Sequence, residues 1–121
     1  MADRRMIDRA IVTEGRFLDL PTNSKLLYMM LIVHADDEGF VDPGAVIRLI
    51  GVDKADLEPL EEASLIFAFP SGAICIKDWF IHNTVRKDMA KKTRFEAERM
   101  LLDKGTNKVY FRLEELKTPE S

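Results

Sequence analysis

Cysteine is nearly missing. The 121 residues hold one, Cys75, so no internal disulfide and no cysteine-rich zinc cluster can form. The six glycines stand singly, which leaves no glycine-rich loop to cradle a phosphate. The longest apolar run, Leu26 to Val33, is 8 residues, far short of the roughly 20 a membrane helix needs. Positive charge is also scarce: 18 Lys and Arg against 21 Asp and Glu give a net charge of -3. That balance excludes a protein that coats nucleic acid by bulk charge. No apolar stretch with a small-residue cleavage site follows Met1-Ala2-Asp3-Arg4-Arg5, so no secretory signal is read here. A cytoplasmic setting and no membrane partner are expected. What remains is ordinary for a globular chain, 46% hydrophobic and 32% charged, enough for one domain.

Punctuation by proline, glycine and aspartate divides the chain into elements. Arg5 to Leu20 is ambiguous, a short strand followed by an irregular helical piece that Gly15 would interrupt. Pro21 sits where a helix can begin. From Thr22 to Ala35, Leu26, Leu27, Met30, Leu31 and Val33 recur at helical spacing, and Met29 and Ile32 widen the stripe. This helix is therefore read as central and buried on most sides. Asp36-Asp37-Glu38-Gly39 ends it, with Gly39 suited to the left-handed conformation.

Asp42-Pro43 reads as a cap and first-turn proline. They open a second helix with Ala45, Val46, Leu49 and Ile50 inward, Arg48 outward and Gly51 as the stop. A third helix buries Leu57, Leu60 and Leu65; Pro59 must lie in its first turn, which favours Asp56 over Asp53 as its cap. Ile66 to Phe69, Pro70-Ser71-Gly72 and Ala73 to Lys77 read as strand, tight turn, strand. A further helix is expected over Arg86 to Leu102, ending near Gly105, and Val109 to Leu113 has the pattern of a final strand. Thr118 to Ser121 reads as a loose tail.

Three helices followed by a β-hairpin is the order of a winged helix-turn-helix. The fold class expected is thus α+β, mostly helical, with an added C-terminal helix and a final strand. Residues 1–102 would form the winged-helix domain and 103–121 a C-terminal extension.

Chemistry-bearing side chains are few. Asp36, Asp37, Glu38 and Asp42 lack the alternate oxygens and the later glutamate of a calcium loop, so they read as a solvated helix end followed by a cap. His34 and His82 are 48 positions apart and lack a third ligand at metal spacing. His34 is expected to feel the acidic turn, and His82 to hydrogen-bond a backbone carbonyl. Neither Ser24 nor Ser64 has a histidine and an acid near it in sequence. Cys75, between Ile74 and Ile76, reads as a buried inert thiol. Trp79 and Phe80 are expected to close the core under the hairpin, and Met29-Met30 to fill it. No enzyme activity, cofactor or metal is expected.

Charge distribution is the informative irregularity. Residues 36–62 carry -7, whereas residues 86–94 hold Arg86, Lys87, Lys91, Lys92 and Arg94 against Asp88, giving +4. On a helix, Lys87, Lys91 and Arg94 would share one face. Arg4, Arg5, Arg9 and Arg16 form a second basic cluster. The functional reading is a surface that contacts DNA phosphates through Arg86, Lys87, Lys91, Lys92 and Arg94, helped by Arg4, Arg5 and Arg9. The third helix, with Glu58, Glu61 and Glu62, would be repelled by phosphates, and the turn Pro70-Ser71-Gly72 carries no base. The alternative is a protein-docking or self-association module, in which the strand over Val109 to Leu113 pairs with another chain's sheet edge.

Three blocks together resemble the N-terminal domain of phage replisome organizer proteins. They are His34-Ala35-Asp36-Asp37-Glu38-Gly39-Phe40-Val41-Asp42, Arg48-Leu49-Ile50-Gly51, and Ile76-Lys77-Asp78-Trp79-Phe80-Ile81-His82-Asn83 with Arg86-Lys87-Asp88. Those are prophage-borne replication initiation proteins, similar in role to DnaD-like primosomal proteins, and the likeness runs from about Arg4 to Leu102. The resemblance implies a winged-helix domain that binds origin DNA and works with replication proteins such as a helicase loader or the helicase; a homodimer is expected only from the self-association alternative. The chain departs from the pattern at Pro43-Gly44-Ala45-Val46, where relatives often carry lysines. It departs again at Lys91-Lys92-Thr93, where relatives tend to have a proline.

Overall fold

The computed structural model describes residues 4–84 and 90–116. Residues 4–8 follow an irregular path and join no sheet, so the strand expected early in the chain does not form. The Asn83 side chain takes the place of a strand neighbour, accepting from the Met6 amide at 2.7 Å and donating to the Met6 carbonyl at 3.0 Å. A 3-10 turn at Ile11–Thr13 leads into α1 (Gly15–Leu18). Gly15 opens this helix instead of interrupting one.

Helix α2 (Thr22–His34) follows Pro21, whose carbonyl accepts from the Lys25 amide. Ser24, Leu27, Tyr28, Leu31 and Ile32 face the core, the spacing of one helical stripe. The helix is thus turned relative to the expected stripe: Leu26 and Val33 are exposed, and Met29 and Met30 are half-buried. The polar members can face inward because each has a partner there. Ser24 Oγ donates to the Asp56 carbonyl at 2.8 Å, and Tyr28 Oη meets His82 Nε2 at 2.7 Å.

The turn after α2 leads into β1 (Phe40–Val41) with Gly39 at φ +90°. Helix α3 (Pro43–Ile50) starts as its sequence signals say: Asp42 Oδ1 accepts from the Gly44 amide at 3.0 Å, and Gly51 stops the helix at φ +79°. Its inward face differs from the expected one. Val46 is buried and Ile47 and Ile50 partly so, while Ala45 and Leu49 point outward beside Arg48. A two-turn helix packed on α2 along one side has no second surface to cover Leu49.

Asp53, not Asp56, is the cap of the next segment. Its side chain accepts from the Ala55 amide at 3.0 Å, and Asp56 reaches back to the Asp53 amide at 2.9 Å, a reciprocal capping box. The box closes a 3-10 turn, Lys54–Leu57, that runs into α4 (Glu58–Glu62) with Pro59 in its first turn. Leu60 and Leu65 are fully buried and Leu57 half-buried.

Strands β2 (Ile66–Ala68) and β3 (Ile74–Ile76) form the expected hairpin around Pro70-Ser71-Gly72, in the register Ile66 with Ile76, Phe67 with Cys75 and Ala68 with Ile74. β1 pairs with the other edge of β3, giving an antiparallel sheet in the order β1-β3-β2. Helix α5 (Trp79–His82) then places the fully buried Trp79 beneath this sheet.

The helix expected over Arg86 to Leu102 is not formed across its described part. Residues 90–95 have no regular secondary structure, and α6 spans only Glu96–Arg99. Leu102 already belongs to β4 (Leu102–Lys104), which pairs with β5 (Tyr110–Arg112). This hairpin crosses the boundary expected after residue 102 and sinks two side chains, Leu102 and Tyr110, into the same core as Trp79, Phe40 and Tyr28. A last 3-10 turn covers Leu113–Leu116. The tail over Thr118 to Ser121 lies outside the described residues, as does the first part of the expected basic helix. Among the described residues the chain is an α+β arrangement of six short helices and two antiparallel sheets.

Candidate nucleic-acid interface

The acidic turn between α2 and β1 organises the surface around it. Asp36 Oδ1 accepts from the amides of Glu38 and Phe40, which fixes the turn locally. Every remaining carboxylate reaches outward to a segment far along the chain. Asp36 Oδ2 accepts from the buried Thr93 hydroxyl. Asp37 Oδ2 accepts from the Lys91 amide at 3.0 Å, and Glu38 Oε2 from the Thr93 amide at 2.8 Å. Glu38 Oε1 pairs with Arg99 at 2.9 Å, and the Glu38 carbonyl accepts from Tyr110 Oη at 2.7 Å. The turn is therefore an internal dock for residues 90–99 and the C-terminal hairpin, not the solvated helix end its sequence suggests. The Lys91 amide, aided by Arg5, holds the Asp37 carboxyl below its ordinary range.

The consequence for the basic segment is geometric. Carboxylates take the main-chain N–H groups of Lys91 and Thr93, so the Lys91, Lys92 and Arg94 side chains are left exposed. These three cations, with Arg5 and His34, border an open groove of about 710 Å³ whose apolar wall is Ala45, Val46 and Leu49 of α3 together with Phe95. Leu49 is 64% exposed within it. The Arg94 guanidinium lies on the Phe95 ring, 4.5 Å from its centroid. His34 stands exposed at this border.

The other arginines read from the sequence have different fates. Arg5 is a clamp: its guanidinium donates to the Ala35 carbonyl at 3.0 Å, pairs with Asp37 at 2.9 Å and sits 5.3 Å above the Trp79 ring, with its side chain 12% exposed. It is held by the fold and contributes positive potential rather than a mobile donor. Arg4 and Arg9 are exposed. Arg16 is turned to Asp78 at 2.9 Å and to Glu14 at 2.7 Å. Arg86 and Lys87 lie outside the described residues, and the shared helical face expected for Lys87, Lys91 and Arg94 has no counterpart from residue 90 onward.

Sequence reading missed Lys104 and Lys108. Both line a second cleft, of about 380 Å³, together with Phe80, Asn83, Lys91 and Lys92. The signal was there as Leu102 to Lys104 and Tyr110 to Arg112 flanking Gly105-Thr106-Asn107, a strand-turn-strand pattern. The expected final strand over Val109 to Leu113 is present as β5, whereas Leu102 to Lys104, expected at the end of a helix, is its partner strand β4.

The remaining candidates are structural. His82 is 3% exposed; its Nδ1 accepts from the Asp8 amide at 2.8 Å, so the ring proton is assigned to Nε2, facing Tyr28 Oη. The expected backbone carbonyl partner is thus replaced by a backbone N–H. Burial lowers the His82 pKa to about 4. Burial likewise pushes the Cys75 thiol well above its usual range, which removes it as a nucleophile. The Ser71 hydroxyl is tied to Glu98, so α6 leans on the tip of the first hairpin. Among the described residues, no group of three or more His, Cys, Asp or Glu could hold a metal ion. No described helix is long and apolar enough to cross a membrane. Comparison with protein-family models, curated proteins and solved structures returns no match.

Proposed function

We propose that this chain is a winged-helix module that binds DNA through its backbone phosphates, without catalysis, in the initiation of phage or prophage replication. The order α2-β1-α3-α4-β2-β3 and the three-stranded sheet are compatible with that fold. The resemblance of the blocks around Asp36, Arg48 and Trp79 to replisome organizer proteins supplies the biological setting. A helicase loader or helicase as partner rests on that resemblance, and a cytoplasmic location on the single cysteine.

One observation carries the DNA reading: the acidic turn binds the main chain of residues 91–93 and leaves Lys91, Lys92 and Arg94 displayed together at a groove. Arg4 and Arg9 are exposed and join them as contacts in this reading, as do Arg86 and Lys87 from the sequence. Titration of a labelled duplex at several salt concentrations tests it. If about four phosphates are engaged, log affinity falls against log salt with a slope of roughly -3 to -4. Replacing Lys91, Lys92 and Arg94 together by alanine makes that slope shallower and weakens binding at least about tenfold. Unchanged binding in the triple variant would refute the reading.

A second reading keeps the scaffold and exchanges DNA for protein. Its support is α4, whose exposed Glu58, Glu61 and Glu62 stand where a groove-reading helix would meet phosphates. Strand β5 gives it little support, because beyond its pairing with β4 its Tyr110 amide already donates to the Lys77 carbonyl at 3.0 Å. Light scattering across concentration separates the readings: a strict monomer that binds DNA removes self-association.

A further inference from the structure

We propose that the nucleic acid taken by this surface is a single strand, lying on a track that runs from the α3 groove across Lys91 and Lys92 into the second cleft, where Lys104 and Lys108 hold further phosphates. This rests on the nucleic-acid reading above and extends it to new residues and to a strand type.

Continuity comes first. Lys91 and Lys92 line both the groove and the cleft, so the two depressions share one basic wall. Lys104 and Lys108, both exposed, flank the β4–β5 turn and line the same cleft. Five cations, Arg94, Lys91, Lys92, Lys104 and Lys108, thus line one path. Of the acids that line it, Asp37 is paired with Arg5 and Glu38 with Arg99, while Asp36 and Asp42 accept from main-chain amides, Asp36 also from the Thr93 hydroxyl.

The strand type follows from what else lines the path. A duplex presents a charged backbone to a protein surface and keeps its base faces stacked inside, so it gains less from an apolar wall than a single strand does. A single strand carries both phosphates and free base faces, and the proteins that hold it combine a basic groove with stacking platforms. Here the exposed Ala45 and Leu49 supply an apolar wall. Arg94, with its guanidinium carbon 4.5 Å from the Phe95 centroid, is an exposed planar group on which a base can stack. In the cleft the Lys104 ammonium lies 4.3 Å from the centroid of Phe80, which puts a phosphate donor beside an aromatic ring.

The test uses the full chain, a labelled oligothymidylate of about 12 nucleotides and a duplex of matched length. The variant combines Lys104→Gln with Lys108→Asn, because Lys108 sits at φ +66° and asparagine tolerates that conformation. The wild-type chain is expected to bind the single strand more tightly than the duplex. In the double variant, affinity for the single strand drops about tenfold and its salt slope becomes shallower by about 1.4, the share of two phosphates. An unchanged affinity and slope, or a tighter grip on duplex, overturns the inference. If duplex binding persists and depends on Lys91, Lys92 and Arg94 while the double variant behaves as wild type, the single-strand track is wrong and the DNA reading stands. Failure to bind either probe removes both.

Discussion

Gly39 lies against the face of Trp79 so closely that a Cβ at position 39 would fall 2.6 Å from the tryptophan Cγ and 2.8 Å from its Cβ. The contact is fixed from both sides. Trp79 Nε1 donates to the Asp37 carbonyl at 3.0 Å, and the Ile76 amide donates to the Gly39 carbonyl at 2.9 Å. The acidic turn is thereby pressed onto the core, and its three carboxylates are presented to residues 91–99. Gly39 also adopts φ +90°, where side chains are rarely found.

Gly39→Ala therefore meets two penalties, a strained backbone and an overlap with a buried ring that has no room to move. The expected loss of stability is about 3 kcal/mol or more. Gly51→Ala serves as the control: it shares the positive φ, at +79°, but its Cβ would meet nothing within 4 Å. Its cost should stay near 1 kcal/mol. Urea denaturation of the two variants measures the difference. Equal losses would mean that the turn can lift away from Trp79.

Local signals in the sequence were readable wherever one or two residues decide the outcome. Asp42-Pro43 and Gly51 bracket α3, and Pro70-Ser71-Gly72 turns the first hairpin. The face of α2 was not readable, because apolar residues occupy nearly its whole circumference. The choice falls to Ser24 and Tyr28, whose partners Asp56 and His82 lie 32 and 54 residues away. The same limit explains the misread segment after Ala90. Helical spacing of its lysines is a local pattern, and it is overridden when Asp37 and Glu38, 54 and 55 residues distant, capture the amides a helix would need. Of the candidate interface, charge arithmetic finds Lys91, Lys92 and Arg94. It cannot find Lys104 and Lys108, which join them only through the β4–β5 pairing.

The His82 pair sets the acid limit of the fold. Its ring is neutral in the folded chain, since Nδ1 accepts from the Asp8 amide and burial lowers its pKa to about 4 from 6.5. Asp8 pulls that pKa upward and Arg16 pulls it downward. The unfolded chain binds the proton first, so stability is full above about pH 6.5 and declines as pH falls toward 4. Between pH 7 and pH 5 this one group should remove about 2 kcal/mol. Denaturant unfolding at the two values tests it, with His82→Asn as comparison. The variant starts less stable, having lost the ring between Asp8 and Tyr28, but its stability should change less over the same interval. Equal pH dependence in both proteins would assign the acid sensitivity to other groups.

Thr93 is the peg that holds the basic segment to the acidic turn. Its hydroxyl donates to Asp36 Oδ2 and accepts from the Phe95 amide at 3.1 Å, and the residue is buried. Thr93→Val keeps the shape and removes both bonds, leaving a part-buried carboxylate oxygen and amide without these partners. The expected cost is about 1–3 kcal/mol. The loss should be local as well as global. Hydrogen exchange at the Lys91, Thr93 and Phe95 amides should accelerate more than at Cys75, which lies in the centre of the three-stranded sheet. Thr93→Ser, which retains the hydroxyl, should restore slow exchange at all three. If valine leaves their exchange unchanged, the bonds from Asp37 and Glu38 to the main chain hold the segment unaided.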